Sequence, residues 1–286
     1  MAGTAKGFAT PGLPRSDLSP WQQRLRMLAI RLFLWIATRV VLRVRLEGRD
    51  RILAGPAMYC FNHMSWIDPI VLMAAFPLRS RLYFYGPKEV DMRVGGRNRL
   101  MWWSGISVPF RPTKDDIVTS VRRSEAIFRS GGMLAIAGEG RIHVHEGDLM
   151  PLQEGAAYLA LRAGVPIVPV ALTGTSLLGF RRTVTVRVGE AIETGPRPSR
   201  AAILHYSART WHAIKAMVAA DQDQPVPGRF GRWLSDVFND WGPGGRAGLD
   251  AERGPEPADV PIPPLGAASP SGRPGVPTPP VEALSG

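Results

Sequence analysis

Between Arg45 and Val188, seven short β-prone or apolar runs recur: Arg45–Glu47, Ala57–Phe61, Arg81–Tyr85, Ile106–Phe110, Met133–Ala137, Pro166–Leu172 and Thr183–Val188. Helical patterns fill several of the intervals, at Ile67–Ala75, Asp115–Arg129 and Glu154–Ala163. Strands that alternate with helices are brought side by side by crossover connections. The expected fold is therefore α/β, a mixed, mostly parallel sheet flanked by helices. A helical stretch at Ser199–Ala220 closes the domain, which is expected to span residues 46–220.

The two ends read differently. Residues 1–16 are small and polar and are expected to be disordered. Residues 17–45 predict an amphipathic helix, opened by Pro20 and rich in Leu, Ile, Val, Phe and Trp from Trp21 to Val44. Its longest apolar run, Leu32 to Thr38, is walled by Arg31 and Arg39, far short of the roughly 20 residues of a spanning helix. Arg24, Arg31, Arg39 and Arg43 fall within an arc of about 120° on a helical wheel. A basic stripe opposite a Leu/Phe/Trp face is the pattern of a helix lying in a membrane interface. A second amphipathic helix is expected at residues 228–242. Its Phe230, Trp233, Leu234, Val237, Phe238 and Trp241 share an arc of about 140°, opposite Arg232, Ser235, Asp236 and Asn239. So short a helix needs a partner, either its own domain or a lipid surface. Residues 243–286 read as a disordered Pro/Gly-rich tail; 13 of the 27 prolines lie from Asp221 onward.

The net charge is +11, and residues 1–51 hold ten basic side chains against three acidic ones. Such a balance favours an anionic membrane surface or a polyanion. No nucleic-acid motif accompanies it, so a nucleic-acid partner is not expected. Cys60 is the only cysteine, which leaves no internal disulfide and fits a reducing compartment.

The residues with chemistry begin at Asn62-His63-Met64-Ser65-Trp66-Ile67-Asp68. This block follows the apolar run Ala57–Phe61, so His63 stands at a strand end, where open α/β sheets build their sites. Asp68, about one turn into the following helix, can reach back to the imidazole. A carboxylate on one ring nitrogen fixes the tautomer and makes the other nitrogen a better base. Alone, such a pair is more often a satisfied local hydrogen bond. Three further blocks follow in order: Gly105-Ile106-Ser107-Val108-Pro109-Phe110-Arg111, Glu139-Gly140-Arg141, and Val165-Pro166-Ile167-Val168-Pro169-Val170. His143 and His145 have a metal-like spacing, but no cysteine lies near and no metal is expected.

With these four blocks in this order, the chain from about Leu46 to Val188 resembles the glycerolipid (1-acyl-sn-glycerol-3-phosphate) acyltransferases. The resemblance implies a glycerol-3-phosphate-acyltransferase-like fold. It implies His63 as the base that deprotonates an acceptor hydroxyl and Asp68 as the group that orients it. Arg111, with Gly105, would hold the acceptor phosphate through a two-pronged guanidinium contact. Glu139 and Gly140 would complete the acceptor site, with Asn62 and Ser65 beside them. Lys88 sits where many relatives carry a Lys-Glu pair, amid arginines suited to the acyl donor's phosphates. The third block departs from the usual Phe-Pro-Glu-Gly-Thr-Arg: here Ala137-Gly138-Glu139-Gly140-Arg141-Ile142 stands, with Arg141 one place early. Arg141 is still expected to reach the acceptor, whose polar head is the feature this change puts in question.

The implied reaction moves a fatty acyl group from acyl-CoA or acyl carrier protein to 1-acyl-sn-glycerol-3-phosphate, giving phosphatidic acid, with no cofactor. Acylation of another lyso-lipid or a glycolipid is the nearer alternative. A basic nucleic-acid-binding protein or a non-catalytic membrane scaffold is the alternative of a different class. The expected place is the cytoplasmic face of a membrane, peripheral or monotopic.

Overall fold

A computed structural model describes residues 18–85, 99–100, 103–108, 114–143, 145–195, 197–219, 228–239 and 257–265. Each of the seven expected strand positions carries a strand: β1 Leu42–Glu47, β2 Met58–Phe61, β3 Leu82–Tyr85, β4 Ser107–Val108, β5 Met133–Ala137, β6 Ile167–Thr173 and β7 Arg182–Val188. They form one sheet in the order β1-β7-β6-β2-β5-β3-β4. Every neighbouring pair is parallel except β6 with β7. The sheet is thus mixed and mostly parallel, with the antiparallel pair made by the sequential strands β6 and β7.

The α-helices that flank it include α1 Pro20–Val41, α2 Asp68–Ala75, α3 Lys114–Arg129, α4 Gly155–Ala163, α5 Arg200–Val218 and α6 Arg229–Asn239. The central strands β2 and β6 are buried along their whole length, as near-continuous apolar strands covered on both faces must be. Neighbouring residues of β2 point to opposite faces. Tyr59 meets Phe76, at the end of α2, edge-on at 4.9 Å between ring centres, and Cys60 lies on the side of Leu152 and Gly138. On that second face α4 presents Ala156, Ala157 and Ala160, small enough for it to lie close to the strands.

The N-terminal helix departs from expectation. Gln22 reaches back to accept from the Ser19 N–H (3.0 Å), and Pro20 opens the first turn. The helix stops at Val41, and Leu42–Val44 belong to β1, held in parallel register with β7. Arg43 therefore stands on a strand. Arg31 is wholly buried. Its guanidinium donates to the carbonyls of Met73 (3.2 Å), Phe76 (3.0 Å), Pro77 (2.8 Å), Leu78 (3.3 Å) and Ser80. These carbonyls lie at and beyond the C-terminus of α2, where a cation complements the helix dipole. Burial brings the Arg31 pKa down to about 10. The expected four-arginine stripe is therefore corrected: Arg24 and Arg39 are exposed, Arg31 is a core group and Arg43 has left the helix. What the helix turns outward is a row of apolar side chains, among them Trp21, Leu25, Leu32, Phe33, Ile36 and Val40.

The C-terminal region also departs. Within the stretch read as a disordered tail, residues 257–265 lie along α5. His205 Nδ1 sits 2.7 Å from the Pro263 carbonyl, and His212 Nε2 2.7 Å from that of Val260.

Candidate active site

Because β2 and β5 are parallel neighbours, the chain leaves both at one edge of the sheet. Phe61 pairs with Ala137, and the Gly138 N–H continues the ladder by donating to the Phe61 carbonyl (2.8 Å). Two residues further along each chain stand His63 and Glu139. A Cβ on Gly138 would sit 2.7 Å from Cys60 Sγ and 2.8 Å from Leu152, so the unusual Ala-Gly of the third block lets these chains approach closely.

The turn from β2 into α2 is wound around one carboxylate. Asp68 is the first residue of α2 and fully buried. Its Oδ2 accepts from His63 Nδ1 (2.9 Å), the Met64 N–H (2.7 Å) and the Ser65 N–H (2.9 Å). The side chain therefore reaches back as the five-residue spacing predicts. With Nδ1–H donating to Asp68, Nε2 carries the lone pair. The His63 side chain is 13% exposed, and Nε2 has no partner among the described residues. Phe61 and Trp66 flank the ring edge-on at 6.1 and 6.3 Å. A neutral imidazole with one nitrogen fixed and the other open is equipped to remove a proton from a hydroxyl.

Glu139 braces this turn from below. Its Oε1 accepts from the His63 backbone N–H (2.9 Å) and its Oε2 from the Met150 N–H (3.0 Å). His143 Nε2 lies 3.0 Å from Oε2, an ion pair when the imidazole is protonated. Burial opposes a charge on His143, but the contact with Glu139 outweighs it and raises its pKa, with Asp68 and Asp148 adding to the effect. The His143 N–H in turn donates to the His63 carbonyl (2.9 Å). His63 is thus held through its ring, its N–H and its carbonyl.

The other expected site residues divide. Asn62 is buried and exchanges two hydrogen bonds with the backbone of Leu172 on β6 (2.9 and 2.7 Å), acting as one more rung between strands. Ser65 is buried and donates to Asn239 Oδ1 (2.9 Å). Both are expected among the acceptor-binding residues; here their polar atoms bond to the protein and hold the loop. Glu139 is engaged in the same way, its two oxygens meeting the His63 and Met150 N–H groups and His143. Gly140 adopts φ +70, a left-handed conformation that favours glycine, and stands exposed beside the exposed Arg141. Gly105, also at φ +70, leads into β4 at the far edge of the sheet. Arg111 and Lys88 lie outside the described residues, as does Trp241.

Two residues escaped the sequence reading. His143 stood out only as half of a metal-like pair; its spacing of four from Glu139 was the usable signal. Asn239 had none. Its Oδ1 also accepts from the Trp66 N–H (2.8 Å), so α6 clamps the turn that carries His63 from 174 residues away.

Comparison with known proteins adds three findings. Residues 43–173 match the family model described as Acyltransferase. Over 167 residues the chain is 32% identical to 1-acyl-sn-glycerol-3-phosphate acyltransferase beta of Homo sapiens, covering 53% of this chain and 57% of that protein. The chain thus spans little more than half the length of this relative. Its fold is similar to that of the 1-acyl-sn-glycerophosphate (LPA) acyltransferase PlsC from Thermotoga maritima, with a TM-score of 0.55 and 17% identity, covering 74% of this chain and 88% of that one.

Proposed function

We propose, from the match of residues 43–173 to the family model described as Acyltransferase, that this protein acylates the free hydroxyl of 1-acyl-sn-glycerol-3-phosphate to give phosphatidic acid. The observation that carries the reading is the His63–Asp68 dyad at the edge where β2 and β5 end, with Nε2 open. His63 Nε2 takes the proton of the acceptor hydroxyl as its oxygen attacks the thioester carbonyl of acyl-CoA or acyl carrier protein. Collapse of the tetrahedral adduct breaks the C–S bond, and the leaving sulfur receives the proton from His63. Asp68 stays ionised and stabilises the imidazolium between the two transfers. No acyl-enzyme and no cofactor is needed, because a positioned alcohol and a base suffice. Arg111, Arg141 and Gly105 are assigned to the acceptor phosphate, and Lys88 to the donor.

A membrane-surface location fits this substrate. Among the described residues no helix is long and apolar enough to cross a membrane, and the outward apolar row of α1 suits the interface of an anionic leaflet. The peripheral, cytoplasmic-face placement rests on that row and on the charge of +11. A second reading, acylation of another lyso-lipid head group, is favoured by the early arginine of Glu139-Gly140-Arg141.

Thiol release from acyl-CoA by the full chain, with lysophosphatidic acid and neutral lysolipids offered separately, tests the acceptor. We expect turnover with the phosphate acceptor to exceed the neutral one by at least about tenfold, as loss of a charge-assisted contact implies. Equal turnover with both overturns the phosphate assignment and favours the second reading.

A further inference from the structure

An amphipathic helix that serves only its own domain buries the middle of its apolar arc. Helix α6 does not. Its inward face is Gly231, Ser235 and Asn239, all buried. Ser235 Oγ accepts from the Leu178 N–H (2.6 Å), and Asn239 Oδ1 receives the bonds from Ser65 and Trp66. These polar anchors rotate the helix so that, of the described residues of the arc, only Leu234 and Phe238 pack on the core. Phe230, Trp233 and Val237 stand outward at 66%, 56% and 57% exposure.

The loop that receives α6 carries a further exposed aromatic, Phe180, at 74%. Arg181, next in sequence, holds φ +60, a conformation that side-chain-bearing residues rarely adopt. Its N–H donates to the Val41 carbonyl (2.6 Å) and its guanidinium to that of Arg39 (3.4 Å). One loop therefore joins the C-terminal end of α1, where Val40 and Val41 are exposed, to α6. Arg39, Arg181, Arg229 and Arg232, all exposed, edge these apolar side chains.

From this arrangement we propose that Phe230, Trp233 and Val237 of α6, with Phe180, dock into the surface of an anionic lipid bilayer as a second contact, separate from α1. Apolar and aromatic side chains flanked by arginines are matched to the acyl boundary and to anionic headgroups together. The consequence is positional. Asn239, at the end of the docked helix, bonds the turn that carries His63, so seating α6 fixes the catalytic turn relative to the lipid surface. The choice of a bilayer as occupant rests on the lipid-acylation reading above; the dye-labelling test does not need turnover.

Cys60 is buried, with its thiol pKa pushed up to about 12, so an added surface cysteine can be labelled selectively. Full-chain Val237→Cys and Arg232→Cys are each labelled with a nitrobenzoxadiazole dye and mixed with phosphatidylglycerol-containing vesicles. The expected result is a blue shift, with quenching by nitroxide-bearing acyl chains, at position 237 and not at 232. A dye at 237 that stays in water while the protein co-sediments with vesicles overturns the proposal, and so does failure to co-sediment. A blue shift without vesicles that grows with protein concentration overturns it in favour of a second copy of the chain. In a Phe230→Ser, Trp233→Ser variant, vesicle partition is expected to weaken by more than about tenfold. Turnover of a short-chain, monomerically dissolved acceptor should stay within about twofold. Equal losses in both overturn the docking role and mark the helix as merely structural.

Discussion

One oxygen of Asp68 accepts three hydrogen bonds, and Glu139 and His143 hold the same turn by its backbone. The dyad was legible because a spacing of five across a strand-to-helix turn leaves the carboxylate little else to reach. The brace was not, since Glu139 in a sequence looks the same whether it meets substrate or backbone N–H groups. His143 makes the brace testable. Its folded pKa is raised above the ordinary 6.5, so the protonated form is favoured by folding. That stabilisation is complete below about pH 6.5 and is lost as pH rises through the raised value. His143→Gln should therefore lower stability by about 1–3 kcal/mol near pH 6. The gap in urea midpoint between it and the wild type should narrow as pH rises. A gap that is constant or widens with pH contradicts a charged His143 on Glu139.

At the scale of elements, α1, α2 and the turn that carries His63 form one mechanical series. Arg31 of α1 grips the carbonyls at the C-terminus of α2, and Asp68 at its N-terminus grips His63. Replacing Arg31 with Met strands several buried carbonyls and should cost about 3–5 kcal/mol. Arg24→Met, on the exposed side of the same helix, should stay within about 0.5 kcal/mol. Denaturant unfolding of the two variants decides it; equal effects would return Arg31 to the surface stripe that its helical phase suggests. The seven strand positions and the helices α2, α3 and α4 between them were readable, because period and turn spacing are local properties of the chain. Which arginine is buried, and which part of the α6 arc faces inward, depends on partners tens of residues away. Helical phase could not tell Arg31 from Arg24, nor foresee that Ser235 and Asn239 would turn α6 by their hydrogen bonds.

Across the whole molecule, the parallel arrangement of β2 and β5 converts distant sequence blocks into one edge. Helix α6, outside the residues that match the family model, closes on that edge through Asn239. The sheet order behind this convergence was not legible: alternation implies a parallel sheet, and strand order is set by which apolar faces pack. The path of residues 257–265 was likewise hidden in a proline-rich composition that reads as tail. In the proposed chemistry an open Nε2 on His63, aligned by Asp68, is the base for acyl transfer. That role is tested most directly by thiol release from acyl-CoA with lysophosphatidic acid, comparing wild type with His63→Ala and Asp68→Asn after circular dichroism has verified the fold. The account predicts turnover at background for His63→Ala and a fall of about 10²–10⁴-fold for Asp68→Asn. Folded His63→Ala with wild-type turnover would contradict it.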